Sequence, residues 1–206
     1  MERLIAYVDG FNLYFGLREA GWQRFLWLDI ELLVRNLLKS HQGLVRVNYF
    51  TARVSATPSD PDKPHRQNTY LEALQTHTGV IPHYGHYLDK ERTCFRCSNK
   101  WMDHEEKGTD VNIAVQMVLD AFRDEFDTAM LISADSDLAG PVQAIRREWP
   151  RKRIVAAFPP QRCSAELQRQ ASAFFHINRA KISASQLPDP VVKPDGYRLW
   201  RPSTWH

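Results

Sequence analysis

The sequence predicts an α/β fold, a parallel sheet of about five strands with helices on both faces. Three observations predict it. Short apolar runs of strand length alternate with apolar stripes at helical spacing along most of the chain. The 206 residues are 43% hydrophobic, enough for one substantial core. No internal repeat or low-complexity segment interrupts the alternation.

Residues 4–8 (LIAYV) form the first strand, which ends at Asp9 and Gly10. Residues 28–38 place Ile30, Leu33, Val34 and Leu37 at helical spacing, and residues 44–52 form the second strand. Residues 66–77 are helical, with Tyr70, Leu71 and Leu74 on one face. Residues 79–88 are β-like, and Pro82 assigns them to an edge. A polar insert covers 89–106. In the helix after it, Val111, Ala114, Val115, Val118, Leu119 and Phe122 make one apolar stripe. Residues 128–133 form the fourth strand. A helix from 140 follows, with Pro141 in its first turn, and then a fifth strand at 153–158. A last helix, capped by Ser164, runs to Phe175. The expected organisation is one domain over 1–178 and an extended basic-aromatic tail over 179–206.

The net charge is +3. The tail holds five basic and two acidic residues, so it accounts for all of that charge and residues 1–178 sum to zero. No apolar run approaches membrane-span length, and the N-terminus has no signal-peptide pattern. The three cysteines, two of them in one C-x-x-C, are no secreted disulfide framework. The expectation is a soluble, cytoplasmic protein with no membrane partner.

The stretch LISADSDLAG, residues 131–140, ends an apolar strand in two aspartates one residue apart. Two such charges about 4 Å apart repel by roughly 4 kcal/mol at an effective dielectric near 20. In a parallel α/β sheet, ligands bind beyond the carboxyl ends of the strands. Asp9 closes the first strand, Asp135 and Asp137 close the fourth, and Asp110 lies in the first turn of the long helix. Asn12 stands three residues past Asp9. Singly, each acid suits a turn or a helix cap. Gathered at one edge they need a counterion, and an oxygen-rich set suits Mg²⁺ or Mn²⁺.

The segments YVDGFNLYFGL (7–17), EKGTDVNIAV (106–115) and LISADSDLAGPVQAIRR (131–147) resemble the NYN domains of the PIN-like nuclease superfamily, in their bacterial LabA-like branch. The resemblance runs from about residue 3 to 177. It implies a PIN-like, Rossmannoid sheet and metal-dependent hydrolysis of RNA phosphodiester bonds. The family's acidic site maps onto Asp9, Asp110, Asp135 and Asp137, with Asn12 beside Asp9 and Ser133 where a hydroxyl often lies near the metal. Ala134 stands where glycine is common. Asp9 and Asp135 are the expected direct ligands, with Asp110 and Asp137 direct or through water. A divalent ion acidifies a water and neutralises phosphate charge.

RNA approaching such acids needs cations, and Arg53, Arg66, Lys107 and Arg162 all fall near the same sheet edge as candidate phosphate contacts. The run 146–153 (RREWPRKR) precedes the fifth strand and so lies at the opposite edge. Tyr14 and Phe15 suit base stacking or the packing of the first helix. In the tail, Tyr197, Trp200 and Trp205 interleave with Arg198 and Arg201, which suits tucking onto the domain, a homodimer contact or an RNA arm.

Cys94-x-x-Cys97 is half of a zinc site, with His104 as the third ligand and His83, His86 or Asp103 as the fourth, His86 being preferred. Structural Zn²⁺ and two free thiols are both open readings at this point. The resemblance adds that some LabA-like members carry such a knuckle and others do not. Cys163 is expected to be an ordinary buried or semi-buried thiol. Three function classes compete: a ribonuclease acting on single-stranded RNA, a weak or inactive module binding RNA or a protein partner, and an aspartyl phosphatase. The last fits poorly, because Phe11 occupies the place of its second aspartate.

Overall fold

The computed structural model describes the backbone of residues 1–93, 96–97 and 100–205, and the side chains of residues 1–85, 96–97, 100 and 108–205. Its centre is β1 (Glu2–Asp9), flanked on one side by β2 (Gln42–Thr51) and on the other by β6 (Thr128–Ile132). β3 (Ile81–Tyr84) adds outside β2. β7 (Arg153–Phe158) and β8 (Ala173–His176) add outside β6. All five pairings are parallel, in the order β3-β2-β1-β6-β7-β8, so the main sheet among the described residues has six strands.

The sixth strand corrects the expectation of five. The last predicted helix stops at Gln170 in α6 (Ala165–Gln170), and residues 173–176 pair with β7 instead. Ser172 makes the switch: its N–H donates to Ile154 O at 2.7 Å, and its Oγ accepts from Ile154 N at 3.1 Å.

β1 is buried along most of its length because helices cover both faces, as a central parallel strand requires. Leu4, Ala6 and Val8 face one core with α1 (Gly10–Glu19), α2 (Ile30–Leu37) and α3 (Lys63–His77). Ile5 and Tyr7 face the other, with α4 (Thr109–Phe122), α5 (Ala139–Glu148) and α6. The period of two along the strand produces this division.

α4 turns a different face inward from the one its sequence stripe suggests. Ile113, Met117 and Ala121 are buried against the sheet, whereas Val111, Val115, Leu119 and Phe122 are exposed. Apolar residues surround most of this helix, and a buried Asp120 selects the inward face. Its carboxylate accepts from Tyr7 Oη at 2.6 Å, from Arg46 at 2.5 Å and from Gln116 at 2.8 Å.

The insert is an antiparallel hairpin, β4 (His86–Thr93) with β5 (Lys100–Lys107), which leads into α4 through Gly108. Cys94 and the side chains of His86, His104 and Lys107 lie outside the described residues. Cys97 is an exposed free thiol, and Cys163 is exposed as well, which corrects the expectation that it is buried or semi-buried. His83 stacks on Phe50 with ring centroids 4.6 Å apart and bonds Asn48 Oδ1 at 3.0 Å.

The residues beyond 178 fold back on α2 and α3 through α7 (Arg179–Ser183), β9 (Val191–Val192) and β10 (Arg198–Leu199). Ile182, Leu187, Val191, Leu199 and Trp205 join the first core. Trp27 Nε1 donates to Pro188 O at 2.9 Å, and Lys193 pairs with Glu72 at 2.7 Å. Among the described residues, no helix is long and apolar enough to cross a membrane.

Candidate metal centre at the carboxyl edge of the sheet

β1 and β6 run parallel in register, Val8 beside Ile132, so the residues that follow them emerge at one edge. Asp9 is the last residue of β1 and the N-cap of α1; its Oδ1 accepts from Asn12 N at 2.9 Å. Its Oδ2 accepts from Ser133 Oγ at 2.9 Å. Ser133 in turn accepts from Asp135 N at 3.0 Å, and Asn12 Oδ1 accepts from Ala134 N at 3.1 Å. Asp9 and the 133–135 turn are thereby fixed as one unit. Each Asp9 oxygen still has a lone pair for another partner.

Asp135 caps a short 3₁₀ turn, Ser136–Leu138, its Oδ1 accepting from Asp137 N at 2.9 Å. Asp110 reaches the same edge from the first turn of α4. Gly108 makes this possible: at φ 88° it lies in the left-handed region that glycine enters without strain, and it turns the chain from the hairpin into the helix.

Asp9, Asp110 and Asp135 line one polar cavity of about 160 Å³, together with Asn12, Thr109 and Arg162. Asp9 is buried, and that burial pushes its carboxyl up to about 6 against the pull of Asn12 N and Ser133; repulsion from Asp110 and Asp135 adds to the rise. Asp110 is raised by burial first, then by Asp135 and Asp137. The site therefore disfavours its own negative charge, which is the condition a cation relieves.

The expected residues divide as follows. Asp137 is exposed and stands outside the cavity wall, reaching Asp110 only through its field. Arg162 lines the cavity, pairs with Glu19 and lies 5.8 Å from the Phe15 ring. Arg53 bonds Asn68 and lies over the Tyr84 ring at 4.8 Å. Arg66 pairs with Asp60 and lines a second cavity, about 100 Å³ and mostly apolar, which shares Phe11 and Phe15 with the acidic one. Thr109 and Phe11 are wall residues that the sequence reading did not assign; the adjacency of Thr109 to Asp110 was the available signal.

No three His, Cys, Asp or Glu side chains among the described residues stand close enough to share one metal ion directly. Mg²⁺ usually keeps several waters and takes one or two carboxylates. A polar cavity of about 160 Å³ has room for those waters. The donor set is compatible with a hydrated divalent ion, and Asp9, Asp110 and Asp135 are the residues that would hold it.

The NYN domain family model matches residues 3–178. This chain belongs to the NYN domain family. Its PIN-like, nuclease-like fold follows from that membership. The NYN chain is also similar to 6-hydroxy-3-succinoylpyridine 3-monooxygenase HspA of Pseudomonas putida (strain DSM 28022 / S16). The two are 29% identical, over 93% of this chain and 74% of that protein. Among solved structures it is similar to VPA0982, a protein of unknown function from Vibrio parahaemolyticus RIMD 2210633. That match has a TM-score of 0.54 and 20% identity, over 86% of this chain and 94% of the other, and shows a shared fold.

Proposed function

We propose that this NYN domain is a Mg²⁺- or Mn²⁺-dependent ribonuclease that hydrolyses phosphodiester bonds of single-stranded RNA. One observation carries the reading: Asp9, Asp110 and Asp135 face a single polar cavity beyond the carboxyl ends of β1 and β6, with Arg162 on its wall. When bound, the ion acidifies an attacking water and offsets charge on the phosphate. The chain's own residues orient and bind. Ser133 and Asn12 hold the Asp9 carboxylate in one rotamer, Asp110 can accept the proton or hold the water, and Arg162 attracts the backbone phosphate. Phe11 and Phe15 offer ring faces to neighbouring bases.

Cleavage of a labelled single-stranded RNA in Mn²⁺, Mg²⁺ and EDTA, wild type beside Asp135→Asn, tests this. Asparagine caps a turn as well as aspartate does, so the fold should survive. Metal-dependent cutting should fall by more than about 100-fold, the upper end of the cost of losing an outer-sphere partner. Metal binding with no cutting in any condition would favour a binding module for RNA or a protein partner, a reading that the spacing of the carboxylates supports. Chemistry on a small aromatic acid, the activity in the name of the Pseudomonas relative, is favoured by the apolar cavity alone. Conversion of that relative's substrate tests it.

A further inference from the structure

The apolar cavity beside the acids has a composition that the metal site does not use. Its walls include Tyr14, Tyr49, Tyr70 and Trp205. Its basic lining residues are Arg18, Lys63 and Arg66, and no acidic residue lines it among those described. Asp60, outside the wall, bonds Arg66 and lies in the field of Lys63 and Arg18. Phe15 and Arg18, both exposed, mark the side open to solvent.

Size narrows the occupant. A cavity of about 150 Å³ with apolar walls is enough for benzene. The space here is about 100 Å³ and opens to solvent, which suits one six-membered ring better than a fused pair. Aromatic walls select a planar ring. Arg18 at the open side, with Lys63 and Arg66 in the lining, favours an anionic group on that ring's substituent. Phe11 and Phe15 stand in the walls of both cavities, so the two openings are neighbours and a strand bound at the acidic one can extend to the other.

Together these features favour a single aromatic ring that carries an anionic group, which in an RNA strand is a pyrimidine nucleotide. We propose that this cavity seats a pyrimidine nucleotide of the RNA strand next to the cleaved phosphate, an inference that rests on the ribonuclease reading. Trp205 lies beyond residue 178, the end of the family match, so the chain's own C-terminal segment supplies one wall of the base seat. Contacts of Trp205 with Trp27, at 6.4 Å between centroids, and with Tyr70, at 5.8 Å, hold that wall in place.

The test has a binding arm and a cleavage arm. In EDTA, UMP, AMP and nicotinate are titrated into the full chain by calorimetry. UMP should bind at least tenfold tighter than AMP and nicotinate. Val54→Trp, a half-buried wall position that can grow without entering the core, should abolish UMP binding. Arg18→Ala should weaken UMP while leaving uridine unchanged. With Mn²⁺ and a mixed-sequence RNA, cuts should fall beside pyrimidines at least tenfold more often than beside purines, and Val54→Trp should lose that bias. Equal affinity for UMP and AMP, binding of nicotinate in preference to UMP, or no binding of any probe overturns the proposal. Cleavage without pyrimidine bias overturns it and leaves the ribonuclease reading standing. UMP binding with no cleavage overturns that reading and keeps the nucleotide site.

Discussion

Ser133 Oγ donates to Asp9 Oδ2 at 2.9 Å, joining the end of β6 to the end of β1 through a fully buried hydroxyl. The same hydroxyl accepts from Asp135 N at 3.0 Å, so one side chain sets the relative position of two candidate metal-binding carboxylates.

Ser133→Ala should therefore fold and bind metal poorly. It leaves Asp9 Oδ2 and Asp135 N without their shared partner, which costs about 1–3 kcal/mol where the groups are buried. Metal affinity should fall by about 10–100-fold, as when an outer-sphere partner is removed. Urea melts and a Mn²⁺ titration monitored by calorimetry separate the two effects. Unchanged Mn²⁺ affinity would show that the hydroxyl is structural only.

Gly10 lets α1 start directly against β2. A Cβ there would lie 2.6 Å from Tyr49 Oη and 2.8 Å from Phe50 O, and the second contact is backbone that cannot swing away. Gly10→Ala should destabilise the protein by about 1–3 kcal/mol through overpacking. Because Asp9 and Asn12 flank this residue, Mn²⁺ affinity should fall as well. Gly140→Ala is the matching control: nothing lies within 4 Å of its Cβ position and it sits in α5, so it should be neutral or slightly stabilising. Thermal melts of both variants check the contrast.

Arg162 is the cation that the structure puts on the wall of the acidic cavity, and its pairing with Glu19 holds it there. Arg162→Ala should weaken RNA binding uniformly across sequences and reduce the salt slope of log Kd by about 1. Metal binding should stay the same or tighten, since a positive charge leaves the site. Glu19→Gln should act in the opposite direction on RNA. Filter binding at several salt concentrations, with and without Mn²⁺, reads both.

Strands buried on both faces were legible in the sequence because their apolar runs are nearly continuous, as in Leu4–Val8 and Thr128–Ile132. β8 was not: Leu167, Ala171, Phe174 and Phe175 keep helical spacing, and only the Ser172 bonds to Ile154 end the helix. The inward face of α4 was hidden for a related reason. Its choice depends on Asp120 meeting Tyr7 and Arg46, which lie 113 and 74 residues away. At the site, Asp9, Asp110 and Asp135 could be read because strand ends and a helix start locate them. Asp137 could not be separated from Asp135, because a 3₁₀ turn of three residues per turn rotates it out of the wall. Nothing local to Trp205 signals that it meets Tyr70.

Arg3 ties β1 to the segment between α4 and β6. Asp127 accepts from Arg3 N at 2.8 Å and from its guanidinium at 2.8 and 3.3 Å, and this holds the carboxyl at about 2 rather than 3.8. A depressed folded pKa adds stability that is complete above the unfolded value and is lost as pH falls through the folded one. The window is therefore between about 4 and about 2. Because both side chains are more than two-fifths exposed, solvent screening keeps the contribution small. Arg3→Gln should be slightly less stable than wild type at pH 7, and the difference should shrink as pH falls through about 2. Asp124, lowered by Lys152 first and then by Arg3, shifts in the same direction, whereas the raised carboxyls of Asp9 and Asp110 are common to both proteins and cancel. Urea melts of the pair in EDTA across this range measure the difference. A gap that persists below pH 2 would place the contribution of Arg3 in its aliphatic packing.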